Sequence, residues 1–171
     1  TYLTTTAANA VSSVQSGLSP TTLYFWRVYA ITEGNTSTPL AGSQSTTACG
    51  AGLPAGTYSV GPTGTYPTLT AALAAANAGT SGPVIFELQA AYTSAGETFP
   101  ITIAPAACPT GTITVRPETG ATSLLITSTN ATATIDFGGA SNVIFDGRPG
   151  GAGTTSQLTL SNTATGSAVA V

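Results

Sequence analysis

YPTLTAALAAANAGTSGPVIFELQAAY, residues 66–92, decides how the rest of the chain is read. Leu69, Ala72, Leu73 and Ala76 recur at spacings of three and four, the period of one helix face. Alanine is the strongest helix former and Leu ranks close behind, so the window from Thr68 to Ala78 predicts a short helix. Thr68, behind Pro67, is placed to cap its start, and Asn77-Ala78-Gly79 supplies the stop. The apolar stripe is narrow and the window is uncharged, so this helix has to lie against other structure. Pro83-Val84-Ile85-Phe86-Glu87-Leu88 follows, β-branched and aromatic, and reads as a strand that begins at a Gly82-Pro83 turn. Helix then strand could open a βαβ unit, but no second helical pattern follows, and that fold is set aside.

Toward the C-terminus the pattern changes to short strands. Ile113/Val115, Ile135/Phe137 and Leu158/Leu160 are alternating pairs at a near-constant interval. That interval falls within the period of about 20–25 residues that suits one turn of a β-solenoid, and it places Ile113, Ile135 and Leu158 one above another. Leu124/Ile126 and Val143/Phe145 lie between them, as expected if each turn carries more than one strand. Pro117-Glu118-Thr119-Gly120, Gly138-Gly139, Asp146-Gly147 and Pro149-Gly150-Gly151 are the intervening turn signals. Regular short strands also suit an antiparallel sandwich. The repeat and the preceding helix favour the solenoid.

Toward the N-terminus, residues 1–48 read as strands. Tyr24, Trp26, Val28 and Ala30 alternate onto one face, Phe25, Arg27 and Tyr29 onto the other, and Ser43 to Ala48 returns as a polar strand after a Glu33-Gly34-Asn35 turn. Leu18, Pro20, Thr22, Tyr24, Val28 and Ala30 match the pattern Leu-x-Pro-x-Thr-x-Tyr-x-x-x-Val-x-Ala, and the stretch resembles the C-terminal half of a fibronectin type III domain. The resemblance implies a tyrosine corner, with the Tyr24 hydroxyl bonded to nearby backbone. It covers about half of the roughly 100 residues such a sandwich takes, the early strands lying upstream or coming from another chain. Tyr66-Pro67-Thr68-Leu69, Ala71-Ala72-Leu73, the Gly-rich turn, Val84 to Leu88 and Tyr92-Thr93 resemble the N-terminal cap of pectin-lyase-like right-handed parallel β-helices. In such folds a helix covers the apolar end and free strand edge of the first coil.

The expected fold is therefore mostly β: a partial fibronectin type III-like β-sandwich (1–48), a Gly/Pro-rich junction (49–65), a helix-containing cap with the first strands (66–110), and coils of a right-handed parallel β-helix (111–171). The opening TYLTTTAANA has neither a basic segment nor an apolar core, so it is no signal peptide and reads as the middle of a domain in a longer protein.

Composition narrows the function. Of 171 residues 42% are apolar, yet only 5% are charged, with three Arg, no Lys and no His. A Thr- and Ser-covered secreted protein fits this, and so does a surface that packs against copies of itself with little charge repulsion. A net charge of −3 without lysine supplies no basic stripe for nucleic acid or anionic membrane. No apolar run approaches the roughly 18 residues of a transmembrane helix. Cys49 and Cys108 suit a disulfide in an oxidising compartment, or stand as two separate buried thiols. Two Cys without His do not fill a zinc shell, so no metal or other cofactor is expected.

Pectin-lyase-like folds often carry carbohydrate lyases and hydrolases, so Arg116, Glu118, Asp136, Asp146 and Arg148 are the acids and bases to weigh. Asp146 sits in an Asp146-Gly147 turn, where its side chain serves local backbone, and Glu118 falls in the Pro117-to-Gly120 turn. Asp136 and Arg116 point outward and are positioned for a surface pair one coil apart. No catalytic residue is assigned, and no enzyme activity is expected. Asn142 and Asn162 are candidates for stacked turn asparagines. Asn35-Thr36-Ser37 and Asn130-Ala131-Thr132 fit the N-glycosylation pattern. A fibronectin-like module leading into a β-helix resembles large secreted surface proteins of bacteria, particularly of the Bacteroidetes type. That resemblance implies an extracellular or cell-surface structural or adhesive segment, even a self-assembling fibre subunit, whose partners are copies of itself or matrix polysaccharide. The other reading is the non-catalytic start of a carbohydrate-active β-helix protein.

Overall fold

The computed structural model describes residues 6, 15, 18–19, 21–32, 34–46, 52–103 and 111–170. The chain divides into two compact units, Thr1–Ala48 and Cys49–Val171. The described residues are mostly β, with one short α-helix. Cys49, Cys108 and Pro20 lie outside them.

In the first unit, β1 (Leu23–Val28) pairs antiparallel with β4 (Leu40–Ser45), and β2 (Ile31–Thr32) with β3 (Asn35–Thr36) around Gly34, whose φ of 79° suits the tight turn. The return strand begins at Leu40, ahead of the polar pattern that starts at Ser43. Trp26 stands opposite Gly42, and its indole lies across that residue so closely that a Cβ there would collide with the ring. The Tyr24 hydroxyl accepts from the Ser19 N–H at 2.9 Å. Phe25 on one face of this ribbon is 79% exposed and Leu40 on the other 68%.

The second unit is built from parallel strands. β5 (Gly56–Val60), β6 (Val84–Leu88), β8 (Ile113–Pro117) and β11 (Val143–Phe145) make one sheet in that spatial order. β7 (Ile101–Thr102), β10 (Ala133–Asp136) and β13 (Ser167–Ala170) make a second. β9 (Leu124–Ser128) and β12 (Leu158–Asn162) make a third. From β8 onward the chain visits the first, third and second sheets in strict rotation.

Because the strands are parallel and in register, like positions stack. Tyr58, Phe86, Val115 and Phe145 form one inward row, and Val84, Ile113 and Val143 another. Leu124 lies under Leu158 and Ile126 under Leu160, while Ile101, Ile135 and Val169 share a third line. These rows supply about half of one buried cluster.

Two expectations are corrected by this topology. Ile113, Ile135 and Leu158 do not stack on one another; they lie on three different sheets. Strands follow one another at about half the interval between the alternating pairs, so a step from pair to pair takes every second strand. In a rotation of three sheets, that always lands on another sheet. The true steps run from Val84 to Ile113 to Val143 on the first sheet and from Ile101 to Ile135 to Val169 on the second, both longer than the interval read from the sequence. The 49–65 stretch is no separate junction either, since β5 pairs along its whole length with β6.

The helix forms where the spacing placed it. α1 spans Leu69–Asn77, buries Leu69, Ala72, Leu73 and Ala76, and begins at Thr68, whose side chain accepts from the Ala71 N–H. Nine residues are too few to hold a helix in water by propensity alone. Burial of Leu69 and Leu73, about 2 kcal/mol each, is what fixes it. Its stripe joins Phe86, Leu88 and Ile101 in the core.

Phe86 is fully buried, with the rings of Tyr66 and Tyr58 at 5.9 and 6.2 Å. Phe86→Ala is expected to cost about 3–5 kcal/mol, read as a lowered midpoint in urea unfolding. A loss below about 1 kcal/mol would mean that the row does not carry the core.

Candidate functional site

Charge is so scarce that its placement is informative. Five of the nine charged side chains gather along one sheet: Glu87, Arg116, Glu118, Asp146 and Arg148. Alternation turns Glu87 and Arg116 outward between inward Phe86/Leu88 and Val115/Pro117, and the parallel register sets them side by side. Arg116 Nε and Nη2 both donate to Glu87 Oε1, at 2.9 and 2.7 Å. Asp146 follows β11 directly, its N–H donating to the Val115 carbonyl, which puts it next in the same line.

Each carboxylate here is already engaged. Asp146 Oδ1 accepts from the Arg148 N–H (3.0 Å) and Nε (2.9 Å), and Oδ2 from Nη2 (2.8 Å). The guanidinium first, and then the backbone N–H, hold the Asp146 carboxyl down at about 2. Glu118 Oε1 accepts from the Ala90 N–H at 2.7 Å, tying its turn to the layer below. The outward pair expected between Arg116 and Asp136 does not form, because Glu87 occupies Arg116 and Asp136 lies on another sheet, accepting from Gly138 N–H. Asp146 serves local backbone as its turn position indicated. Arranged this way, the charges neutralise one another and tie layers together; a proton donor at neutral pH is not what this geometry makes of Asp146.

A second polar cluster escaped the sequence reading. Glu97 Oε1 accepts from Leu69 N–H (2.6 Å) and the Tyr92 hydroxyl (2.8 Å), while Oε2 accepts from Thr70 N–H (2.7 Å) and Thr70 Oγ1 (2.6 Å). With Thr68 taking the Ala71 N–H, the first free amides of α1 are satisfied, and the carboxylate also complements the helix dipole. Burial, then the Glu97 charge and its hydrogen bond, push the Tyr92 hydroxyl far above its ordinary range, so it stays a donor. Only the isolation of Glu97 among uncharged neighbours hinted at a partner.

Asparagines link the layers, in part as expected. Asn162 Nδ2 donates to the Asn130 carbonyl, and Asn130 Nδ2 to the Phe99 carbonyl, each 3.0 Å. Asn142 plays a different part, taking a left-handed φ of 62° in its turn. Asn130 Oδ1 also accepts from Thr132 and Ala133, which locks that sequon's amide at both ends. Asn35 lies exposed in the β2–β3 hairpin.

Among the described residues no three metal-binding side chains cluster, and no helix is long and apolar enough to cross a membrane. Comparison with protein-family models, with curated proteins and with solved structures finds no match.

Asp146 predicts an acid dependence. Its folded carboxyl sits near 2 against an ordinary 3.8, so its stabilising contribution is complete above about pH 4 and is lost as pH falls toward 2. Arg148 is half exposed, so solvent screening keeps that contribution small. Asp146→Asn should lower stability at pH 7 by that same small amount, match the wild type near pH 2, and so remove that part of the decline between pH 4 and pH 2 in thermal melts.

Proposed function

We propose that this chain is a non-catalytic structural or adhesive segment of a secreted bacterial cell-surface protein. In this reading a partial fibronectin type III-like module precedes the capped start of a right-handed parallel β-helix. The observation that carries it is the rotation of parallel strands through three sheets with stacked apolar rows, together with a helix beside the end strand of one sheet. Parallel crossovers are right-handed in nearly all known cases, which supplies the hand. The Tyr24 hydroxyl bonded to backbone five residues upstream supports the fibronectin-like half, since that is what a tyrosine corner does.

The non-enzymatic side of the proposal draws on how the outward carboxylates are used. Glu87, Glu118 and Asp146 each hold an arginine or a backbone amide rather than facing one another across a gap. A nearly uncharged chain rich in Thr and Ser suits contact with neutral polysaccharide or with like surfaces.

Incubation of the chain with acidic and neutral polysaccharides is expected to give co-sedimentation with at least one insoluble neutral polymer and no new reducing ends or unsaturated products. Release of such products would replace this reading with a carbohydrate-active one.

A further inference from the structure

The first unit holds the arginine that the ion pairs leave over. Of three arginines in the chain, Arg116 is bound to Glu87 and Arg148 to Asp146, while Arg27 meets no carboxylate among the described residues. Pairing of β1 with β4 sets Leu23, Phe25 and Arg27 on one face, opposite Ser45, Ser43 and Ala41. These cross-strand partners are small, so they do not shield Phe25, the most exposed large apolar side chain described. Phe25, Trp26, Arg27, Ala41, Gly42 and Ser43 line an open depression of about 400 Å³. The chain enters β1 from the other face, where the Ser19 N–H donates to the Tyr24 hydroxyl. It is therefore the Tyr24 face, not the Phe25 face, to which the segment ahead of the ribbon is bonded.

We propose that the Phe25–Arg27 face binds an acidic polysaccharide, Arg27 holding a uronate carboxylate while Phe25 lies against the apolar face of a sugar ring. The ligand is chosen by complementarity. A guanidinium without a carboxylate of its own takes one through two parallel N–H donors in a planar fork. Phe25 stands two residues away on the same side of the strand and offers a flat apolar surface. A uronate brings matching parts in one unit: a flat C–H face, a carboxylate at the ring edge, and hydroxyls for the exposed Ser43 and Ser45. A neutral sugar would leave Arg27 unpaired, and a run of acidic peptide would leave Phe25 uncovered. The depression is too open to enclose a small molecule as most such sites do, whereas a polymer crosses it and repeats the contact.

The test titrates the whole chain by calorimetry with mannuronate oligomers and with neutral mannose oligomers of equal length. Saturable binding of mannuronate is expected, the neutral oligomers binding at least about tenfold more weakly. Arg27→Gln should weaken mannuronate binding about tenfold and remove most of its salt dependence, and Phe25→Ser should weaken it about fivefold. Arg148→Gln changes the net charge equally but lies in the other unit, and should leave binding as it is. Phe25 and Arg27 are exposed, so both variants are expected to melt with the wild type. Should Arg27→Gln not fold, Arg27→Lys keeps the charge without the fork and should still weaken binding about threefold. No saturable binding, equal affinity for the neutral oligomers or for a glutamate peptide, or an equal loss in Arg148→Gln would each overturn the proposal. The inference rests on the adhesive reading but fails apart from it: released sugar products would end that reading, whereas these outcomes bear on the Arg27 site alone.

Discussion

Parallel, in-register pairing is the constraint from which the second unit follows. In such a sheet each residue sits beside its counterpart in the next layer, so an inward position in one layer makes its neighbours inward too. One polar residue in such a row would put an unsatisfied group in the core, at a cost of about 2–7 kcal/mol. The rows obey this: Tyr58, Phe86, Val115 and Phe145 are all aromatic or aliphatic, and so are Ile101, Ile135 and Val169. Where polar groups do enter the interior they come paired. Thr134, fully buried, shares a hydrogen bond with Ser128 and donates to the Ser161 carbonyl.

The same rule governs the outward face, where like positions also become neighbours. Parallel stacking would set equal charges about 4.8 Å apart in successive layers, and repulsion would follow. The chain avoids this by alternating sign, Glu87 then Arg116 then Asp146, and by keeping most outward positions Thr, Ser or Ile. Low charge and layered architecture are thus linked: few charges are tolerable in a stack unless their signs alternate.

How much of this is legible in the sequence depends on distance along the chain. α1 is legible because its signals, the 3/4 spacing and the Thr68 cap, lie within one window and nothing distant overrides them. β6 is legible for the same reason. The layer-to-layer register is not, because turns of unequal length make the steps differ between sheets. Val84 reaches Ile113 by a shorter path than Ile101 takes to Ile135 or Leu124 to Leu158, and alternating apolar pairs look alike on every sheet. Thr57 to Val60 is legible as a short strand inside the Gly/Pro-rich stretch, but its pairing is not, because its partner, β6, lies on the far side of the helix. The polar clusters share this limit. Asp146 and Arg148 sit in one turn and can be read together; Glu87 and Arg116, or Glu97 and Leu69, are brought together only by the fold.

Glu97 shows why a nearly uncharged protein keeps a particular charge. A neutral side chain at that position could accept from one or two donors, whereas an ionised carboxylate has capacity for about four and carries no proton it must then satisfy. The site presents four donors: two helix amides, a threonine hydroxyl and the Tyr92 hydroxyl, whose raised titration keeps its proton in place. Gln would have to turn an NH₂ group toward donors, and Asp is one carbon shorter from the same backbone. The demand comes from α1, whose first amides have no partners within the helix, and α1 in turn exists because the end of a parallel stack cannot cover itself. Following the requirement backwards, the one carboxylate of the 93–98 loop is set by the end of the sheet it helps to cover.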